Sequence, residues 1–291
     1  MEFVETAARG LVGILPYLLV AFALLLAFKA VHDWITPIDD NEALKEGNVA
    51  AGINRGGAYL GFLVAMSGSL ILSKEGYLTD LGMFLLDGVI ALAVFAAAHY
   101  AFDWIILKKV NNATAIRGGN VAVAVVELCA YLALGLITSA SFSGGGQGLL
   151  AGMASAILFS AIGLATLVTV YAVYVTVWQW RVGCDIDMQV GANNYAAALD
   201  AGSLLVAISI TLWFSISGDF TGWGTDLLSY AVAAASSVVA VSIARGLAVK
   251  VLARGLPVTK DGAHHGNAAK SAIVGLASIG AGLIAGLVTF V

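Results

Sequence analysis

The sequence predicts an all-α polytopic membrane protein, with eight transmembrane helices arranged as two pseudo-symmetric four-helix units. Three observations predict it. First, one phrase recurs four times: Gly47-Asn48-Val49-Ala50-Ala51-Gly52, Gly119-Asn120-Val121-Ala122-Val123-Ala124, Asn193-Asn194-Tyr195-Ala196-Ala197-Ala198 and Gly266-Asn267-Ala268-Ala269-Lys270-Ser271. The asparagines are evenly spaced (120 − 48 = 72, 194 − 120 = 74, 267 − 194 = 73), the mark of one supersecondary unit copied in tandem. Second, 60% of the 291 residues are hydrophobic and only 11% charged, where a soluble domain carries about 25% charged residues. Third, apolar runs of about 20 residues, the length that crosses a bilayer, fill the chain, without the period-two alternation of a membrane β-barrel.

The runs place helices at roughly 11–34, 48–73, 80–107, 119–143, 149–178, 192–217, 226–253 and 267–290. Two helices per quarter bring every quarter back in the same orientation, so the repeats are parallel and related by an axis along the membrane normal. Residues 1–144 form the first unit and 145–291 the second, and the run from Ala21 to Leu70 lines up with that from Tyr171 to Ile216. Gly144-Gly145-Gly146-Gln147-Gly148 at the joint lacks the lysine and hydroxyl residue of a phosphate loop and reads as a linker.

Basic residues set the orientation. The connections near 35–47, 108–118, 179–191 and 251–266 hold Lys45, Lys108, Lys109, Arg117, Arg181, Arg254 and Lys260, whereas the opposite face holds Arg9 and Lys74. The asparagine side is therefore expected to be cytoplasmic and both termini periplasmic. Trp34, Trp104, Trp178 and Trp180 at one set of helix ends, with Trp213 and Trp223 at the other, fit as interfacial anchors. The acidic start, Met1-Glu2-Phe3-Val4-Glu5, lacks the basic region of a signal peptide, so the first helix is expected to be a retained anchor.

Several chemistries are excluded or disfavoured. No basic, aromatic-interleaved surface suggests nucleic acid. Cys129 and Cys184 make neither a disulfide framework nor a metal knot. The adjacent His264 and His265, near Asp261, point apart and lack further ligands. With no Gly-x-Ser-x-Gly, no His-Glu-x-x-His and no cofactor motif, the chain is expected not to be an enzyme and to need no cofactor or metal.

Asn48, Asn120, Asn194 and Asn267 stand where helices begin, so their side-chain oxygens are expected to cap the first-turn N–H groups. Small residues two and four positions on, and Gly56, Gly202 and Gly275 eight positions on (with Leu128 in the second quarter), let helix backbones approach closely. If the four helix starts ring a shared axis, their dipoles favour an anion at that mouth.

Charges inside spans demand an explanation, since each costs about 3 kcal/mol or more at the bilayer centre. Arg55 and Glu127 lie seven residues after Asn48 and Asn120 and are expected to pair between helices, holding register or lining an ion path. The second half has Ala201 and Val274 there, with Asp200 adjacent. Asp87 is deep in the third helix, and His99 and Asp103, like Lys29 and Asp33, are four apart on one face. Lys29, Asp33, Asp103, Arg245, Lys250 and Lys270 are expected to be solvated near the interface, Arg245 and Lys270 by snorkelling.

The run Thr36-Pro37-Ile38-Asp39-Asp40, Glu42, Glu46, Gly47-Asn48-Val49-Ala50-Ala51-Gly52 resembles the YjfL family of bacterial inner-membrane proteins, known as domain of unknown function 350. The resemblance covers nearly the whole length as two tandem copies of a four-helix domain. The second copy departs from the pattern: Asn193-Asn194 replaces Gly-Asn, no Thr-Pro precedes it, and Lys270 enters the last phrase. It implies an inner-membrane location and roles in transport or as a partner of band-seven (SPFH) and phage-shock proteins. The residues themselves leave three readings open. One is a channel or transporter for a small ion or solute. Another is a scaffold subunit that associates with itself or with a membrane partner. The third is an intramembrane lipid enzyme using Asp87, His99 and Asp103.

Overall fold

In a computed structural model, residues 2–36, 40–72, 76–144, 148–183, 185–256 and 267–290 are described, and among them there is helix and no strand. The helices are α1 (Glu2–Ile35), α2 (Asp40–Lys45), α3 (Val49–Ser67), α4 (Ser69–Leu72), α5 (Tyr77–Ile105), α6 (Asn112–Arg117), α7 (Val121–Phe142), α8 (Leu149–Val182), α9 (Ile186–Gly191), α10 (Tyr195–Ile216), α11 (Trp223–Val251) and α12 (Ala268–Phe290). Seven of them, α1, α5, α7, α8, α10, α11 and α12, are long and apolar enough to cross a membrane. The 19-residue α3 is diluted by Asn54, Arg55 and four glycines and is not among the seven. Leucines such as Leu19, Leu78, Leu150 and Leu276 lie open on the outside, as lipid contact requires.

The connections expected as loops contain three short helices, α2, α6 and α9, of six residues each. They recur with the period of the asparagines, each ending just before one. Gly47 (φ 78°) and Gly119 (φ 81°) turn the chain from short helix to asparagine through the left-handed region. Asn193 does the same at φ 61°. Asparagine is among the few non-glycine residues that tolerate this conformation, so the Asn193-Asn194 departure keeps the turn.

The four helices that open on asparagines pack side by side, α3 on α7, α7 on α10 and α10 on α12. The remaining long helices cover this row: α1 and α5 lie on α3, α8 on α7 and α10, and α11 on α10 and α12. One interface is repeated along it. Counting from each asparagine, the ninth residue of one helix meets the eighth of the next. A Cβ on Gly57 would lie 2.7 Å from the Leu128 Cα, one on Gly202 2.7 Å from the Cys129 Sγ, and one on Gly275 2.7 Å from the Ser203 Cβ. The thirteenth and fifteenth residues meet as Gly61 with Gly135 and as Ala207 with Gly282, and the twentieth and nineteenth as Gly68 with Ser139 and Phe214 with Gly286. Constant register along the contact makes the helices parallel. Lipid gives apolar side chains little reason to meet, so backbone approach at glycine supplies the association. Among the described residues no comparable packing joins α12 back to α3. The asparagines therefore stand along a row and do not ring a shared axis.

All four asparagines cap a helix, and two of them also join repeats. The Asn48 Oδ1 accepts from the Ala51 N–H at 3.1 Å, that of Asn120 from Val123 at 3.0 Å, that of Asn194 from Ala196 at 3.0 Å and that of Asn267 from Lys270 at 3.1 Å. The expected caps are thus present. Two of the side-chain amides then tie one repeat to the next. Asn48 donates to the Ile116 and Arg117 carbonyls at the end of α6, both at 3.0 Å. Asn120 donates to the Val190 and Gly191 carbonyls at the end of α9, at 3.2 and 2.8 Å. These carbonyls are among those a helix end leaves unpaired.

Candidate functional site

The polar interior of the first half is built by α1, α2, α3, α5 and α7. Near the asparagine end, α1 contributes Lys29 and Asp33, one turn apart and joined at 2.6 Å. The Arg55 guanidinium of α3, 5% exposed, forms an ion pair with Asp33 and donates to the Asn41 Oδ1 of α2 at 2.7 Å. The adjacent Asn54 donates to the Glu127 Oε2 of α7 at 2.7 Å. Arg55 and Glu127 are both buried, on facing helices. Asp33 keeps 27% of its side chain exposed and turns one oxygen to Lys29 and the other to Arg55.

A turn deeper, His99 of α5 is 3.2 Å from the Tyr131 hydroxyl of α7 through Nδ1, and its ring lies 5.9 Å from that of His32 on α1. His32 is 3% exposed and was not singled out in the sequence. Its one signal there is a depth close to that of His99, which single-helix spacing does not convert into contact. Beyond the histidines comes a layer of rings: Phe28 stacks on Phe62 at 4.7 Å, and Phe95 stands edge-on to both at 5.6 and 5.8 Å. On the far side of this layer the Asp87 carboxylate, 8% exposed, accepts from the Ser69 hydroxyl at 2.6 Å. Asp87, Ala91, Phe95 and His99 recur every four residues, one face of α5. Twelve residues of helix put Asp87 and His99 about 18 Å apart along the axis. The Asp103 side chain lies outside the described residues, as do Cys184, His264 and His265.

The second half places different groups at the same stations. Its helices begin 146 residues after their counterparts (195 − 49 for α10 and α3, 223 − 77 for α11 and α5) or 147 (268 − 121 for α12 and α7). Arg245 takes the register position of His99, and Asp200 that of Asn54. The two form an ion pair, and Arg245 also donates to the Asp200 carbonyl at 2.9 Å and to the Ser278 hydroxyl at 3.2 Å. Tyr174 of α8 donates to the Asp200 Oδ2 at 2.6 Å, and its ring lies 5.4 Å beneath the guanidinium. Arg245 thus points inward, side chain 12% exposed, and does not snorkel. A buried carboxylate on the facing helix outcompetes water for a guanidinium able to donate five hydrogen bonds. Asp87, Phe62 and Phe95 correspond to Ala233, Ile208 and Val241.

Outside the spans, Lys109 and Asp185 form an ion pair that ties the start of α9 to the segment before α6. Desolvation opposes charge on Asp185. Lys109 and the backbone N–H groups of Met188 and Asp187 prevail and hold its carboxyl below the usual range. Asp187 is pushed up by burial and by Asp185 beside it. Among the described residues no three His, Cys, Asp or Glu converge as a metal site would require.

Comparison with known proteins agrees with this architecture. A transmembrane protein of the UPF0719 family from Aquifex aeolicus (strain VF5) is 27% identical over 123 residues. That similarity covers 42% of this chain and 44% of the relative, so the chain matches less than half of that protein's length. No solved structure matches. The family model described as Domain of Unknown Function (DUF350) matches residues 6–142 and again 148–288. Nearly the whole sequence is accounted for by these two tandem segments, and the chain belongs to the DUF350 family.

Proposed function

We propose that the protein moves a proton or small cation across a bacterial inner membrane through its first four-helix unit, while the second unit is its structural counterpart. The carrying observation is the face of α5 that bears Asp87 and His99 on opposite sides of the Phe28, Phe62 and Phe95 layer. Buried ionisable groups in a membrane helix are costly and mark ion paths by default. Imidazole is the side chain that changes charge near neutral pH, and carboxylates join it in the proton relays of membrane proteins. The ring layer would be the barrier that small rotations open. In this reading α3 is an eighth span. Its contacts with α7, from Gly57 at Leu128 to Gly68 at Ser139, run along most of a helix that is itself long and apolar enough to cross. The asparagine end is cytoplasmic, both termini are periplasmic, and the protein is not an enzyme.

The test is proton and cation flux in liposomes containing purified protein, with Asp87→Asn and His99→Gln beside the wild type. Flux in the wild type that falls at least tenfold in either folded variant is the expected result. Absence of flux from intact wild type defeats the reading. A second reading, a non-catalytic scaffold, is favoured by one observation, the continuous glycine-packed row; it is the reading left if the liposomes are silent.

A further inference from the structure

The packed row stops at two faces that are complementary to each other. At each internal junction the ninth residue of one helix meets the eighth of the next, with a glycine on one side: Gly57 with Leu128, Cys129 with Gly202, Ser203 with Gly275. At the start of the row the eighth residue is Gly56, exposed, with nothing within 4 Å of where a Cβ would stand. At its end the ninth is Leu276, 70% exposed. The next contact pairs thirteenth with fifteenth residues, which leaves Gly280, again with nothing within 4 Å, and Leu63, 38% exposed. The last pairs twentieth with nineteenth, which leaves Leu287, 48% exposed, and the exposed Ser67. All three vacant pairs set a leucine against a glycine or serine.

The polar tie recurs at the first two junctions, while the amide of Asn194 donates to the Gln189 Oε1 at 3.0 Å. Asn48 and Asn120 each donate to the carbonyls four and three residues before the next asparagine. By that rule the amide of Asn267 has its acceptors at Leu44 and Lys45 of α2, at the opposite end of the same chain.

We propose that α12 of one copy docks on α3 of a second copy of this chain, continuing the row with Leu276 over Gly56, Gly280 against Leu63, Leu287 against Ser67, and Asn267 on the end of α2. Such a contact continues an interface that the chain already builds three times. Backbones approach at Gly52 and Gly56 as they do at Gly57 and Gly61, a small-xxx-small face that lipid does not fill as closely as a helix. The contact is head to tail, so it closes into a ring or runs on as a filament. It does not depend on whether the first unit conducts ions.

The test uses full-length chains in native membranes, in a Cys129→Ala, Cys184→Ser background. A tagged Ser67→Cys chain is co-expressed with a differently tagged Leu287→Cys chain and oxidised. A disulfide-linked dimer carrying both tags, and no dimer from either variant alone, is the expected result. Loss of that dimer when Gly56→Leu is added to the Ser67→Cys chain is also expected; since Gly56 touches nothing in its own chain, this change spares the fold. A dimer from Ser67→Cys alone would mean a symmetric α3 pair and overturn the proposal. So would no dimer from membrane-inserted chains, or a dimer indifferent to Gly56→Leu.

Discussion

The two halves hold their long helices in the same register and spend their buried polar groups differently. In the second half Arg245, Asp200 and Tyr174 close on one another: the guanidinium is shared between a carboxylate, a backbone carbonyl and three hydroxyls, with a ring beneath it. In the first half the corresponding positions are a histidine and an asparagine, His99 and Asn54. Its charges spread over α1, α3 and α7, and a further carboxylate, Asp87, stands where the second half has Ala233. A guanidinium locked to a carboxylate and to further acceptors on facing helices fixes a helix crossing. Duplication thus lets two copies keep the same register of long helices while their buried polar groups differ.

The sharpest way to break this contrast is to remove Arg245. Arg245→Ala leaves Asp200 buried and unpaired, a situation that costs about 3–5 kcal/mol. His99→Ala removes a hydrogen bond to Tyr131, which is typically about 1 kcal/mol. Unfolding in detergent should show the first variant far less stable than the second. Arg245→Met combined with Asp200→Leu should recover much of the loss. Equal losses in the two single variants would mean the halves are not divided in this way.

The four-fold period, the helices and the caps were legible because they depend on local chemistry: an asparagine before an apolar run, glycines at helical spacing. The short helices α2, α6 and α9 were not, since six residues between spans carry too few turns for a period to show. Partner choice was legible only in part. Arg55 and Glu127 share a register in the sequence and lie on facing helices, and the structure adds Asp33 and Asn41 as partners of Arg55 and Asn54 as a partner of Glu127. Which neighbour a guanidinium takes depends on the tilt and rotation of α1, which no spacing within α3 or α7 encodes. Arg245 was misplaced for the same reason: its depth suggested an interface, and its partner is on another helix.

The asparagines sharpen the comparison at a smaller scale. Asn120 caps α7 and also donates two hydrogen bonds to the end of α9, whereas Asn267, the last of the row, is described only as a cap. A cap is worth about 1 kcal/mol, and each further hydrogen bond about 1 kcal/mol. Asn120→Ala should therefore cost about 2–3 kcal/mol in monodisperse detergent, and Asn267→Ala about 1 kcal/mol. If the two cost the same, the tie between repeats contributes nothing.

The smallest effect is expected where the halves meet in water. The folded Asp185 carboxyl titrates below its unfolded value, because Lys109 and two backbone N–H groups outweigh its desolvation. A depressed folded pKa means the unfolded state binds more protons as pH falls. The contribution is therefore full above the unfolded value and is lost as pH drops through the folded one. Lys109→Met should weaken the protein slightly at neutral pH. The gap from wild type should narrow between about pH 5 and about pH 3, since acid removes from the wild type what the variant already lacks. Lys109 is exposed, so added salt should shrink the same gap at neutral pH. A gap insensitive to both acid and salt would mean that Lys109 acts through packing of its stem on the start of α9, and that the joint between the halves is not held by charge.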